Sequence, residues 1–288
     1  MKTKQIWSTV TILFLIFMVG CAAKQAPRKK QGEMDTPAFH TLRGDDMLFR
    51  QDYPAAAKSY ERALSLKSSY SPALSGKAVT TAYSAKKNGN EEKMKTGLEM
   101  MEDLIEQASD SAQSDKDKIR VHSYAVQAYW ELQFPEDEWF EKVENHFEEA
   151  IELNPRASSP YFFIARAESA RFNYSGAASH YNKVLELRGT FKEEANRELE
   201  IVQKIQRAQP GSDFGKIIAW IPEISKADVS ALFIAELRLE RLYHDASKIK
   251  AKGFEAPKKQ QDFQPELTTG KRLATDIEGH PMQNVIED

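Results

Sequence analysis

Two stretches of the chain align without a gap. Residues 50–67 read RQDYPAAAKSYERALSLK and residues 171–188 read RFNYSGAASHYNKVLELR. Arg, Tyr, Ala-Ala, Tyr, Leu and Leu recur at the same offsets. A third version, FEKVENHFEEAIELNP at 140–155, puts Phe147, Ala150 and Leu153 34 residues before Tyr181, Val184 and Leu187. This self-similarity is the strongest constraint on the fold, because a unit repeating at such a period cannot bury its apolar face alone and must stack on its neighbours. The apolar positions recur at helical spacing and not at spacing two, so each unit is built of helices. Within a unit, a small residue (Ala56, Ala177) lets two helices approach closely. The aromatic four residues on (Tyr60, Tyr181) lies one turn along the same face and fills the groove against the next hairpin.

The pattern resembles the tetratricopeptide repeat family. The first repeat is 37–70, with Gly44, Tyr53, Ala56, Tyr60 and Ala63 on family positions. The clearest is 158–191, with Tyr161, Ala165, Tyr174, Ala177 and Tyr181 in place. The repeat before it closes on Asn154-Pro155, as the family does. Its loop PEDEWFEK is longer than usual, so its first helix shifts back to about 117–133. Between them, SPALSGKAVTTAYSAKK (71–87) reads as a first helix. Residues 91–108 read as a longer second helix with Met94, Leu98, Met101, Leu104, Ile105 and Ala108 on one core-facing stripe. Residues 192–208 read as a capping helix with Ala195, Leu199, Val202 and Ile205 inward. The expected fold is therefore all-α: a tetratricopeptide-like helical-hairpin solenoid of about four repeats plus a capping helix, spanning 37–209, with a helical C-terminal extension over 210–288, disordered in part.

The start of the chain bears on its address. Lys2 and Lys4 precede an apolar run from about Val10 to Val19, the length of a signal-peptide core and short of the roughly 20 residues a membrane-spanning helix needs. The run ends Met18-Val19-Gly20 before Cys21, the only cysteine in the chain. This resembles the lipobox of bacterial lipoproteins, which implies cleavage after residue 20 and a diacylglycerol on the Cys21 thiol, with palmitate as a typical acyl chain. Several acyl chains hold firmly where one holds marginally. Ala22 after the cysteine, in place of Asp, implies by the same resemblance the outer membrane, periplasmic face. Residues 21–36, with Lys24, Arg28, Lys29 and Lys30 and no hydrophobic periodicity, read as a flexible tether. The formal charge is −3, and removing residues 1–20 takes away two positive charges and makes it −5. That balance argues against a nucleic-acid binder.

The tail starts at the helix-breaking Gln209-Pro210-Gly211-Ser212. Ser225 followed by Asp228 is a capping-box-like start for a helix of about 25 residues, with Val229, Leu232, Phe233 and Leu237 on its apolar face. ISKAD at 224–228 and the segment around Asp276, His280 and Val285 resemble pieces of the S-layer homology motif, with Pro281 where that family has Trp. The resemblance implies attachment to a cell-wall polymer. A short helical extension packed on the repeats reads equally well from the residues.

No nucleophile–base pair, phosphate loop or zinc spacing stands out, so no enzyme activity, cofactor or metal is expected. His146 and His180 are 34 residues apart, in equivalent places on successive second helices, and read as solvent-facing positions or as a ligand pair. The concave face of a solenoid, lined by first helices, is the default binding surface. The family's groove positions carry over to Phe162, Arg166 and Ser169 in the last repeat and to Tyr124, Ala128 and Glu131 in the one before. An aromatic beside an arginine suits an extended peptide and its carboxylate. The same residues also suit packing between helices. The expected function is a lipid-anchored envelope scaffold that grips a protein or peptide partner. The alternatives are a solute-binding accessory of an envelope transporter, which calls for a closed apolar cavity, and wall attachment through the tail.

Overall fold

The computed structural model describes residues 29–237, apart from Gln31, Asn88 and Pro222, together with Gln283. Cys21, the leader, most of the tether and nearly all of the tail beyond Leu237 lie outside the described residues. So do the second S-layer-like piece and the C-terminal half of the long tail helix.

Among the described residues there are eleven helices and no strand. They are α1 Pro37–Phe49, α2 Tyr53–Leu66, α3 Ser71–Lys87, α4 Glu91–Asp110, α5 Asp115–Leu132, α6 Trp139–Leu153, α7 Ser158–Ala170, α8 Tyr174–Leu187, α9 Lys192–Ala208, α10 Asp213–Ile218 and α11 Lys226–Leu237. The first eight pair as antiparallel hairpins (α1/α2, α3/α4, α5/α6, α7/α8), and α9 covers α8. Each second helix packs on the next first helix, and first helices pack in succession, α1 on α3, α3 on α5 and α5 on α7. This is an all-α stack of helical hairpins with its core between the layers.

Local chemistry sets where the helices begin. The Thr36 hydroxyl accepts from the Phe39 N–H at 3.2 Å and Pro37 opens α1. Asp52 caps α2 by accepting from Ala55 N–H at 3.1 Å, and Asn173, its repeat equivalent, caps α8 through Gly176 N–H at 3.2 Å. Each satisfies a backbone donor that the first turn leaves without a partner. The repeat thus encodes its own boundaries as well as its faces. Ala56, Tyr60, Ala177 and Tyr181 are all fully buried. So are Met101 and Ala108 of the α4 stripe, with Ile105 nearly so and Met94, Leu98 and Leu104 packed at its edge. The lengthened loop is 133–138, against 50–52 and 171–173 in its counterparts.

Tyr60 is held more tightly than its counterpart. A Cβ on Gly44 would come within 2.5 Å of its ring and one on Gly76 within 2.3 Å. The ring lies where only glycine leaves room on both sides. At the Tyr181 position the counterpart of Gly44 is Ala165, also fully buried.

Beyond α9 the chain doubles back. The Glu236 carboxylate accepts from the N–H groups of Gly211 and Ser212 at 2.8 and 3.0 Å, which ties α11 to the start of α10. The capping box at the head of α11 forms as expected. Ser225 N–H donates to Asp228 Oδ2 at 2.8 Å and Asp228 N–H donates to Ser225 Oγ at 3.0 Å. The buried edge of α11 differs from the expected apolar face. Ala227 and Ala231 are fully buried, while Phe233 is half exposed. A single turn separates those two alanines, and their small side chains suit a close approach better than a phenylalanine does.

Candidate functional site

The first helices carry an open groove at their N-terminal ends, with a cavity volume of about 850 Å³. It runs from Thr41, Leu42 and Asp45 on α1, past Tyr70 and Pro72, to Ile119, Arg120 and Tyr124 on α5, and on to Ser159 on α7 and Phe191 before α9. Leu42 is 69 % exposed. At the other end of the same helices lies a smaller recess of about 340 Å³ lined by Tyr83, Lys86, Lys87, Trp130, Glu131 and Gln133.

A polar network lines the large groove. Arg120 grips Asp45 with two nitrogens, Nη1 to Oδ2 at 3.0 Å and Nη2 to Oδ1 at 2.7 Å, and its guanidinium also donates to the Pro72 carbonyl. The Tyr60 hydroxyl donates to the same Asp45 at 2.8 Å. The guanidinium lies 4.1 Å from the Tyr124 ring centroid, a cation–π distance. Burial works against the charge of Arg120, and the Tyr124 and Asp45 oxygens override it, holding the guanidinium firmly protonated.

The last repeat builds the same motif from other parts. Arg166 binds the Glu198 carboxylate of α9 through Nε at 3.0 and 3.1 Å, with a further bond from Nη2, and the Tyr181 hydroxyl donates to that carboxylate. Arg166 lies 4.5 Å from the Phe162 ring centroid and 5.5 Å from that of Trp130. In each cluster a buried tyrosine, a carboxylate, an arginine and an aromatic ring satisfy one another, as charges largely withdrawn from water require.

The residues expected to grip a partner therefore divide. Phe162 and Ser169 are buried, and the Ser169 hydroxyl donates to the Ala165 carbonyl at 2.9 Å. Ala128 is fully buried. Tyr124 is 9 % exposed and lines the large groove. Arg166 is committed to Glu198. Glu131 lines the smaller recess and accepts a hydrogen bond from the Tyr53 hydroxyl, 78 positions away in sequence. Burial raises the Glu131 carboxyl above its usual range, and the Tyr53 hydrogen bond opposes that. Tyr53 in turn stacks flat on Tyr83, centroids 3.7 Å apart. Tyr124 and Glu131 line two separate cavities on the first helices, and the polar ends of Glu131 and Arg166 are spent on internal bridges.

Sequence reasoning missed Asp45, Arg120 and Tyr53. One signal was available: Asp45 and Arg166 occupy the same repeat register, 121 residues apart like Tyr60 and Tyr181, so opposite charges at one groove position could have been noticed. The histidines also regroup. His180 packs edge-on against Phe147, centroids 5.3 Å apart, and not against His146. His146 instead faces His122. Among the described residues no helix is long and apolar enough to cross a membrane. The chain matches no known family model, no curated protein and no solved structure.

Proposed function

We propose that the chain is a non-enzymatic scaffold of the bacterial envelope, anchored by lipid at Cys21, that holds a protein or peptide partner in the groove of its tetratricopeptide-like repeats. The observation that carries this reading is the groove itself. It is open, crosses the first helices of four hairpins, and alternates apolar surface (Leu42, Ile119, Phe191) with hydrogen-bonding groups (Ser123, Ser159, Asn154). An extended segment offers that mixture along its length: side chains for the apolar steps and backbone N–H and C=O for the polar ones. The two arginine clusters keep the floor rigid, so a partner meets a surface formed in advance and less ordering opposes binding.

The test uses intact cells that make the tagged full-length chain with a photo-cross-linking residue at Leu42, compared with one at Met100 on α4, which is 54 % exposed and lies outside this groove. The expected result is an envelope protein captured from position 42 and not from position 100, equally in a version ending at Gln209. Capture of cell-wall material by the full-length form alone would move the function to the tail. Capture of no macromolecule from position 42 would sink the scaffold reading.

A further inference from the structure

Away from the groove, α5 and α6 bring three ligand atoms into a small triangle. His122 Nδ1 lies 3.1 Å from His146 Nδ1 and 2.9 Å from Glu149 Oε2, and His146 Nδ1 lies 3.3 Å from the same oxygen. His146 and Glu149 are three residues apart on α6 and so share one helix face, while His122 comes across from α5. The side chains of His122 and His146 are 17 % and 19 % exposed and that of Glu149 is 56 % exposed, so the triangle is half sheltered with one open side.

From this geometry we propose that His122, His146 and Glu149 form a binding site for a divalent transition metal of the zinc class. Two imidazole nitrogens and a carboxylate are a donor set that suits such an ion. Its bonds of about 2.0–2.2 Å, arranged tetrahedrally, require ligand–ligand separations of roughly 3.3–3.6 Å. The observed separations of 2.9 to 3.3 Å fall short of that by only a few tenths of an ångström. Two imidazole nitrogens 3.1 Å apart can share one proton at most, so a cation between them satisfies lone pairs that hydrogen bonds satisfy only in part.

The surroundings fit this role. Both rings are largely withdrawn from water, which favours the neutral imidazole that a metal ion takes as a ligand. Two facing charges modulate the site: Glu149 favours a cation and Lys142 opposes one, with Lys142 drawn toward Glu102 at 4.0 Å. The Tyr129 ring stacks on His146 with centroids 5.7 Å apart, and its hydroxyl is fixed on Glu102 at 2.8 Å, so the imidazole is held in its plane. Three protein ligands and an open side leave the fourth position for water or for a donor from outside the chain.

The test titrates the full-length chain with Zn²⁺ against a chromophoric chelator and with Co²⁺ by visible absorption. One ion per chain and a tetrahedral-type Co²⁺ spectrum are expected. Glu149→Gln, at a half-exposed position that folding tolerates, and His146→Gln should each weaken Zn²⁺ binding at least about 10-fold, since even the loss of an outer supporting contact costs that much. His180→Gln should change nothing. Far-UV circular dichroism in chelator confirms that the variants fold. Absence of Zn²⁺ binding by the unmodified chain, or binding undiminished in both Glu149→Gln and His146→Gln, overturns the proposal. The second result would place the ion on other residues, such as His244 or His280.

Discussion

The first and last hairpins solve one packing problem in two ways. Each buries a tyrosine at the same repeat position, Tyr60 or Tyr181, and each uses its hydroxyl to hold a carboxylate that clamps an arginine over an aromatic ring. In the last hairpin the parts are neighbours: Arg166 on α7 meets Glu198 on the capping helix. In the first, Asp45 on α1 reaches Arg120 on α5 past the α3/α4 hairpin, whose Pro72 carbonyl accepts from the same guanidinium. Tyr53, at the start of α2, reaches Glu131 at the end of α5 and makes a second such bridge. Repeat stacks ordinarily gain stability from adjacent units only. Here the front of the stack is stitched across a unit, so the front should unfold as one larger cooperative block.

Removing either tyrosine tests the shared part of the design. Tyr60→Ala and Tyr181→Ala should each cost about 3–5 kcal/mol in urea unfolding, as large buried side chains do. A loss of under about 1 kcal/mol at either would break the equivalence. The carboxylates test the difference. Asp45→Ala and Glu198→Ala should each cost about 2–3 kcal/mol by leaving a half-buried arginine unpaired. Only Asp45→Ala should speed hydrogen exchange in both α1 and α5. Faster exchange confined to α1 would show that the bridge carries no long-range coupling.

The glycines sharpen the comparison further. Gly76→Ala drives a methyl group to 2.3 Å from the Tyr60 ring and should cost about 1–3 kcal/mol by overpacking. Ala165→Gly, at the equivalent of Gly44 in the last hairpin, should cost only about 0.5–1 kcal/mol, the helix-interior price of glycine. Thermal melts of the pair decide whether the front tyrosine is the tighter fit.

The smallest effect expected is a pH slope from the histidines. Burial and the neighbouring His122 push the folded His146 down to about 4, below its ordinary value of 6.5. The unfolded chain therefore binds more protons between those values, and stability falls as pH drops from about 6.5 toward 4. Partial exposure of the site limits the loss to about 1–2 kcal/mol. His146→Gln should flatten this slope in metal-free buffer. A slope unchanged by the substitution would assign the acid sensitivity elsewhere.

How much of this was legible follows from the range of the forces involved. Helix starts, the small-then-aromatic stacking positions, the α4 stripe, the capping helix and the Ser225–Asp228 box all depend on residues within one or two turns, and the chain states them directly. Of the expected groove positions, Tyr124 lines the large groove and Glu131 the smaller recess, while Arg166 is held by Glu198. Which of them stay available to a partner was not legible, because that depends on where Glu198 and Tyr53 arrive. The 34-residue period pointed to His146 and His180, equal in register but set against different neighbours. The cluster that forms is His146 with His122, joined by the crossing of α5 on α6.

The sequence by itself determined an all-helical stack, its units and its buried aromatic steps, because periodicity and capping act over a few residues. Only the tertiary structure decided that Asp45 of α1 meets Arg120 of α5, that two arginines are locked on carboxylates, and that two histidines and a glutamate converge. Those pairings join residues 24 to 75 positions apart, and they depend on how successive hairpins pack on one another. That packing is the sum of many contacts between helices distant in sequence, which no single stretch of chain encodes.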